Sequence, residues 1–262
     1  METEGGGAVS LGRGARVVGD EAIRAVPIPG SKGSVRIPID RSTGSRHLSQ
    51  RVLRLEPGRL APLLHPAAEE VLYVAEGSGF LEAGKDRFDL VPGTGALVPP
   101  GTEYRVSNPG PGDLLLVSVV SPPPSPSPGG TDLRLRSRSR STPSGTIRTV
   151  REEDESPLPA GDDRSFKVLI DARFGCRNVT QFVGYIRESK APPHVHTYEE
   201  AIYILEGNGM VHVGEHHVPI RPGTSIFLPP GTPHCLENHG PGILRLLGVF
   251  SPQGSPADKG EG

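Results

Sequence analysis

His194-Val195-His196-Thr197-Tyr198-Glu199-Glu200, with Gly207 after it and Pro229-Pro230-Gly231-Thr232-Pro233-His234 and Asn238 further on, is the stretch from which the rest of the chain can be read. Three imidazoles and a carboxylate fall among β-branched, turn-punctuated segments. Alternate residues of a strand point the same way, so His194 and His196 can share one interior. Imidazole favours Zn, Cu, Fe or Ni, and the Glu200 carboxylate adds hard anionic character. The pattern predicts one divalent transition metal per chain (Mn, Fe, Ni, Cu or Zn), held by His194, His196, Glu200 and His234. Glu200 is also the candidate catalytic group, because a carboxylate beside a metal can take a proton.

Subtraction exposes a repeat. Glu70, Gly77, Gly93, Pro99, Gly101 and Asn108 recur as Glu200, Gly207, Gly223, Pro229, Gly231 and Asn238, each 130 positions on. Ile39, Asp40, Gly44, Arg46, Gln50 and His65 recur as Ile170, Asp171, Gly175, Arg177, Gln181 and His196 at an offset of 131. A duplicated domain follows. The copies differ at two ligand positions: Leu63 stands for His194 and Tyr104 for His234. The first copy, keeping only His65 and Glu70, reads as a structural domain without metal. Its alternative is a small-molecule cleft lined by His65 and Tyr104.

These motifs resemble the two conserved motifs of the cupin family. The first, G-x5-H-x-H-x(3,4)-E-x6-G, is carried by His194, His196, Glu200 and Gly207, with Glu188 where its leading glycine belongs. The second, G-x5-P-x-G-x2-H-x3-N, is met by Gly223, Pro229, Gly231, His234 and Asn238. The resemblance implies an all-β chain of two tandem jelly-roll barrels, a bicupin. It also implies His194, His196, Glu200 and His234 as the family's metal ligands. Cupins with a similar ligand set include dioxygenases, oxalate-degrading enzymes and isomerases, and bicupin aminohydrolases have a similar layout of a degenerate first and an active second half. The resemblance therefore implies a metal-dependent enzyme acting on a small oxygenated metabolite. A non-catalytic metal- or small-molecule-binding cupin and a storage-type bicupin are the alternatives, since one fold hosts many functions. Cupins are often oligomers, which makes a homodimer an expectation.

Strand-sized apolar runs (Val71–Val74, Ala96–Val98, Leu114–Val117, Ile202–Leu205) bounded by Gly, Pro and Asn agree with an all-β reading. Thirty-five glycines and twenty-nine prolines disfavour helices and supply turns. The expected division is a first domain over 15–122, a Pro/Ser/Arg-rich linker over 123–160 and a second domain over 161–252. The Arg134–Arg140 run could attract phosphate. It is short, lacks interleaved aromatics and sits in a chain of net charge −2, so a solvated linker is expected and no nucleic-acid partner.

Two cysteines are too few for a disulfide framework. Cys235 should point away from the metal as a buried apolar residue. With no signal pattern and no apolar span, the expectation is a cytoplasmic protein without a membrane partner. His216 and His217 flank a hairpin turn at Gly214-Glu215 and read as surface. His212 faces either the pocket or the outside. Arg177 is a candidate cation near the metal, or else the mark of a repeated structural contact.

Overall fold

The apolar runs are continuous rather than alternating, as strands buried on both faces require. The computed structural model describes residues 7–124, 145–161, 163–188, 190 and 192–258. The Arg134–Arg140 run lies outside them. The described residues form strands and five short 3-10 turns, with no α-helix. No helix among them is long and apolar enough to cross a membrane.

Each half builds one large and one small antiparallel sheet. In the N-terminal half the large sheet runs, in spatial order, Arg148–Arg151, Thr94–Val98, Glu69–Glu76, Leu114–Ser121, Ser49–Leu55, Gly33–Ile39 and Val26–Pro27. In the C-terminal half the order is Val9–Ser10, Arg16–Gly19, Thr224–Leu228, Glu199–Glu206, Leu244–Ser251, Thr180–Ile186, Arg164–Ile170 and Leu158–Gly161. The small sheet of the C-terminal half is a hairpin, Gly209–Val213 with His216–Ile220, paired to His234–Asn238.

Two of these strands carry the crossing between halves, and Val9–Ser10 follows Arg16–Gly19 into the C-terminal sheet. Arg16–Gly19 falls within 15–122, yet it pairs with Thr224–Leu228 of the C-terminal sheet. Arg148–Arg151 falls in the 123–160 stretch read as linker, yet it pairs with Thr94–Val98 of the N-terminal sheet. Each covers an edge whose backbone donors and acceptors would otherwise be unpaired. The local pattern of a four-residue strand does not say which sheet it joins.

Three apolar cores result. One fills the N-terminal barrel, with Leu53, Leu72, Leu81 and Leu116. A second fills the C-terminal barrel, with Phe182, Ile202, Val211 and Phe250. The third lies between the large sheets, where Val71, Tyr73, Val117 and Val119 meet Val183, Ala201, Tyr203 and Val249. Side chains of each central strand therefore alternate between a barrel interior and the contact with the other barrel.

Two buried carboxylates lock that contact. Glu199 accepts from Ser45 Oγ (2.7 Å) and from the backbone N–H groups of Arg46 (2.7 Å) and His47 (2.9 Å). Glu69 accepts from the backbone N–H groups of Arg177 (2.8 Å) and Asn178 (2.9 Å) and from Cys176 Sγ (3.4 Å). The repeated Arg46 and Arg177 thus mark loops that receive a carboxylate from the other barrel through their backbone. Arg177 is not among the residues lining the candidate cavity.

Candidate metal centre in the C-terminal barrel

The motif glycines and Asn238 build the frame. Gly207 has φ +81°, and a Cβ there would sit 2.5 Å from the Ile243 carbonyl oxygen. Glycine is the residue that admits this turn. Asn238 donates from Nδ2 to the carbonyls of Ile186 (3.1 Å) and Gly242 (2.6 Å) and accepts from Gly240 N–H (2.9 Å), tying the end of Thr180–Ile186 to the loop that follows its own strand.

On that frame His194 and His234 face each other through two 3.0 Å backbone hydrogen bonds. The Gly231 N–H donates to the His196 carbonyl at 2.8 Å. The three imidazoles each bring one ring nitrogen to within 4.8 Å of the others. Glu200 flanks this group from the strand Glu199–Glu206. Its Oε2 lies 3.3 Å from His234 Nε2 and 3.9 Å from His196 Nε2. The sequence placed these four residues around one centre, and the structure brings them together.

Every Nδ1 of the trio faces a backbone carbonyl oxygen: His194 that of Pro192 (3.2 Å), His196 that of Asp258 (3.0 Å) and His234 that of Thr232 (2.9 Å). A carbonyl can only accept, so each Nδ1 carries a proton, and in the neutral ring Nε2 keeps the lone pair. Glu200 Oε2 is buried and has no hydrogen-bond partner among the described residues. Such an oxygen is costly unless something positive meets it. Neutral imidazoles presenting Nε2 beside an unsatisfied carboxylate oxygen are a donor set that fits a divalent transition metal.

The electrostatics are mutual. Burial, with His234 and His196 nearby, pushes His194 down to about 4. Burial also lowers His196, against the pull of Glu200. Burial alone would depress His234, but its contact with Glu200 outweighs that and raises it. Glu200 is lowered in spite of burial, because His234 and the other two imidazoles surround it.

The site opens on a cavity of about 90 Å³ whose walls include Phe166, Phe182, Ile202, Leu246 and Phe250, with Arg164 as its cationic lining residue. The Arg164 guanidinium also donates to the Leu236 carbonyl at 3.1 Å. The C-terminal segment closes one side. Tyr198 stacks on His196 with ring centroids 5.0 Å apart and donates from Oη to the Ser255 carbonyl at 2.8 Å. A Cβ on Gly254 would lie 2.2 Å from the Tyr198 ring. Sequence reasoning missed Arg164 and this segment, which reach the site across long separations in the chain, and it missed the role of Tyr198, which lies inside the motif between His196 and Glu200.

The other residues singled out resolve as follows. Cys235 is fully buried and unpaired. His212 is not part of the cavity lining. In the N-terminal barrel Tyr104 Oη donates to Glu70 Oε2 at 2.6 Å, Ser118 Oγ donates to Glu70 Oε1 at 2.5 Å, and His65 Nε2 lies 3.3 Å from Glu70. Arg51, fully buried, places Nη1 3.3 Å from His65 Nε2.

A cupin-domain family model matches residues 51–120 and 185–250, one match in each barrel. The chain belongs to the cupin family. An uncharacterized protein of Methanocaldococcus jannaschii is 39% identical over 71 residues, which are 27% of this chain and 57% of that protein. The match thus spans little more than half the length of this curated relative. Among solved structures, a putative glyoxylate induced protein from Pseudomonas aeruginosa superposes with TM-score 0.73 at 21% identity, covering 96% of this chain and 90% of that one. The protein Ylba from E. coli gives 0.74 at 14%, covering 96% and 95%. A deletion mutant of Bacillus subtilis oxalate decarboxylase gives 0.71 at 15%, covering 91% and 78%. At these identities the likeness is one of fold, and that fold is the bicupin.

Proposed function

We propose that this cupin is a metal-dependent enzyme acting on a small oxygenated metabolite, with His194, His196, Glu200 and His234 holding one divalent transition metal in the C-terminal barrel. The observation that carries the reading is the shared orientation of the three imidazoles, each with Nδ1 on a backbone carbonyl. A bound divalent ion would supply Lewis acidity toward a substrate oxygen.

The chain's own groups do the rest. A cavity of about 90 Å³ is small against the roughly 300–1,000 Å³ of drug-sized sites, so it suits a compact ligand. Aromatic and aliphatic walls keep water away and strengthen every charge inside. Arg164 favours an anionic ligand. Glu200 is held ionised by the neighbouring imidazoles and is the group placed to accept a proton. The mostly apolar lining equally suits a second reading, a non-catalytic binding cupin with the same metal and no turnover.

Elemental analysis of tag-free protein, dialysed after expression in metal-supplemented medium, tests the metal. Retention of a tightly held equivalent that is absent from His196→Ala is the expected result. No retained metal in either protein, even after reconstitution, overturns the proposal. A screen of compact carboxylic and hydroxy acids on the metal-loaded protein then separates the two readings by the presence or absence of turnover.

A further inference from the structure

The outer face of the small C-terminal sheet carries imidazoles that the interior centre does not use. His212 and His217 stand directly opposite one another across the hairpin, and their Nδ1 atoms are 2.7 Å apart. His212 Nε2 lies 2.7 Å from Glu237 Oε2 on the adjoining strand. The same carboxylate oxygen is 3.3 Å from His239 Nε2 and 4.0 Å from Lys190 Nζ. Glu237 is thus anchored on three sides.

A carboxylate accepts, so His212 carries its proton on Nε2 and turns the Nδ1 lone pair toward His217. Burial keeps His212 on the neutral side of its ordinary range, against the pull of Glu237. A carboxylate behind one imidazole nitrogen, with the other free to ligate, is the arrangement found around bound transition metals. We propose that His212 and His217 chelate a borderline divalent ion (Zn²⁺, Ni²⁺ or Cu²⁺) through their Nδ1 atoms on the outside of the barrel, with Glu237 orienting His212.

The geometry needs little adjustment: His217, whose Nδ1–H donates to His212 Nδ1 at 2.7 Å in the metal-free chain, moves that proton to its Nε2 when Nδ1 ligates. Two ligands at about 2.05 Å and a tetrahedral angle are about 3.3 Å apart, so the rings must part by roughly 0.6 Å. His217 is exposed at the end of the hairpin and has room to swing. Water completes the coordination, so binding is reversible and weaker than at the buried centre. This site is independent of the interior reading, because none of its side chains lines the cavity.

The test uses tag-free, full-length His196→Ala protein, stripped with chelator and titrated with Zn²⁺ and with Ni²⁺ by calorimetry. About one equivalent of micromolar affinity is expected. Affinity should fall at least tenfold on adding His217→Ala, whose exposed position spares the fold, and about tenfold on adding Glu237→Gln. Thermal melts of the metal-free variants check that folding is unchanged. No binding by His196→Ala, or binding that survives both His212→Ala and His217→Ala, overturns the proposal without touching the interior centre.

Discussion

The two barrels share a backbone frame and differ at their centres. Tyr104 pairs with Leu63 in the N-terminal barrel, and His194 pairs with His234 at the corresponding place in the other. Gly101 N–H donates to the His65 carbonyl as Gly231 N–H does to His196, both at 2.8 Å. In one barrel Arg51 stands opposite Ser118; in the other Phe182 stands opposite Gly248. The N-terminal centre thus contains its own cation. Its carboxylate is satisfied by Tyr104 and Ser118, whereas Glu200 Oε2 has no hydrogen bond among the described residues. The same buried Glu is made stable by internal neutralisation in one barrel and left open to an external ion in the other.

The largest effect should come from exchanging the roles of equivalent histidines. His196→Ala is expected to abolish retained metal at the interior centre, while His65→Ala leaves the metal content unchanged. Elemental analysis of the two variants side by side checks both, and equal losses would break the comparison.

Next comes the internal cation. Arg51→Met leaves Glu70 buried without its counter-charge, a change that costs about 3–5 kcal/mol. Chemical denaturation should show a loss of that size, and a loss below 1 kcal/mol would mean that Tyr104, Ser118 and His65 suffice.

Acid should then separate the barrels. Burial works against the Glu70 charge, but His65, hydrogen bonding and Arg51 prevail and hold its carboxyl at about 2, below its ordinary 4.5. A depressed carboxylate contributes stability that is complete above the ordinary value and is lost as pH falls toward the folded one. Its share, about 3 kcal/mol at 1.36 kcal/mol per unit, should disappear between pH 4.5 and 2. In Glu70→Gln that part of the pH dependence should be missing from denaturation curves.

The smallest effect concerns packing. A Cβ on Gly248 would lie 2.1 Å from Phe182 Cζ. Gly248→Ala should displace that buried ring at a cost of about 2 kcal/mol, within the range for overpacking. Ser118→Ala in the other barrel creates no clash, so it should instead register as a lost hydrogen bond to Glu70. Paired thermal melts would show whether the two positions respond differently.

What the sequence disclosed follows from these physical differences. Glycine at turns and period-two strands are local signals, so the all-β fold, the repeat and the four residues around the C-terminal centre were legible. The hairpin at Gly214-Glu215 and the buried Cys235 were as well. Arg164 and the Tyr198–Ser255 contact were not, since nothing local links residue 164 or 255 to the motif. Arg51 could have been read: subtracting 131 from Phe182 places a cation in the interior of the first barrel. The destination of Arg16–Gly19 and Arg148–Arg151 was hidden because four residues carry no address.

Those two crossing strands have a consequence for how such a chain can come apart. Each lies ahead of one barrel in the sequence and closes the sheet of the other. A single cut between residues 124 and 145 would therefore yield two fragments, each holding a piece that the other needs. The molecule thus has the connectivity of two strand-exchanging barrels joined end to end. The covalent tether fixes which barrel receives which strand.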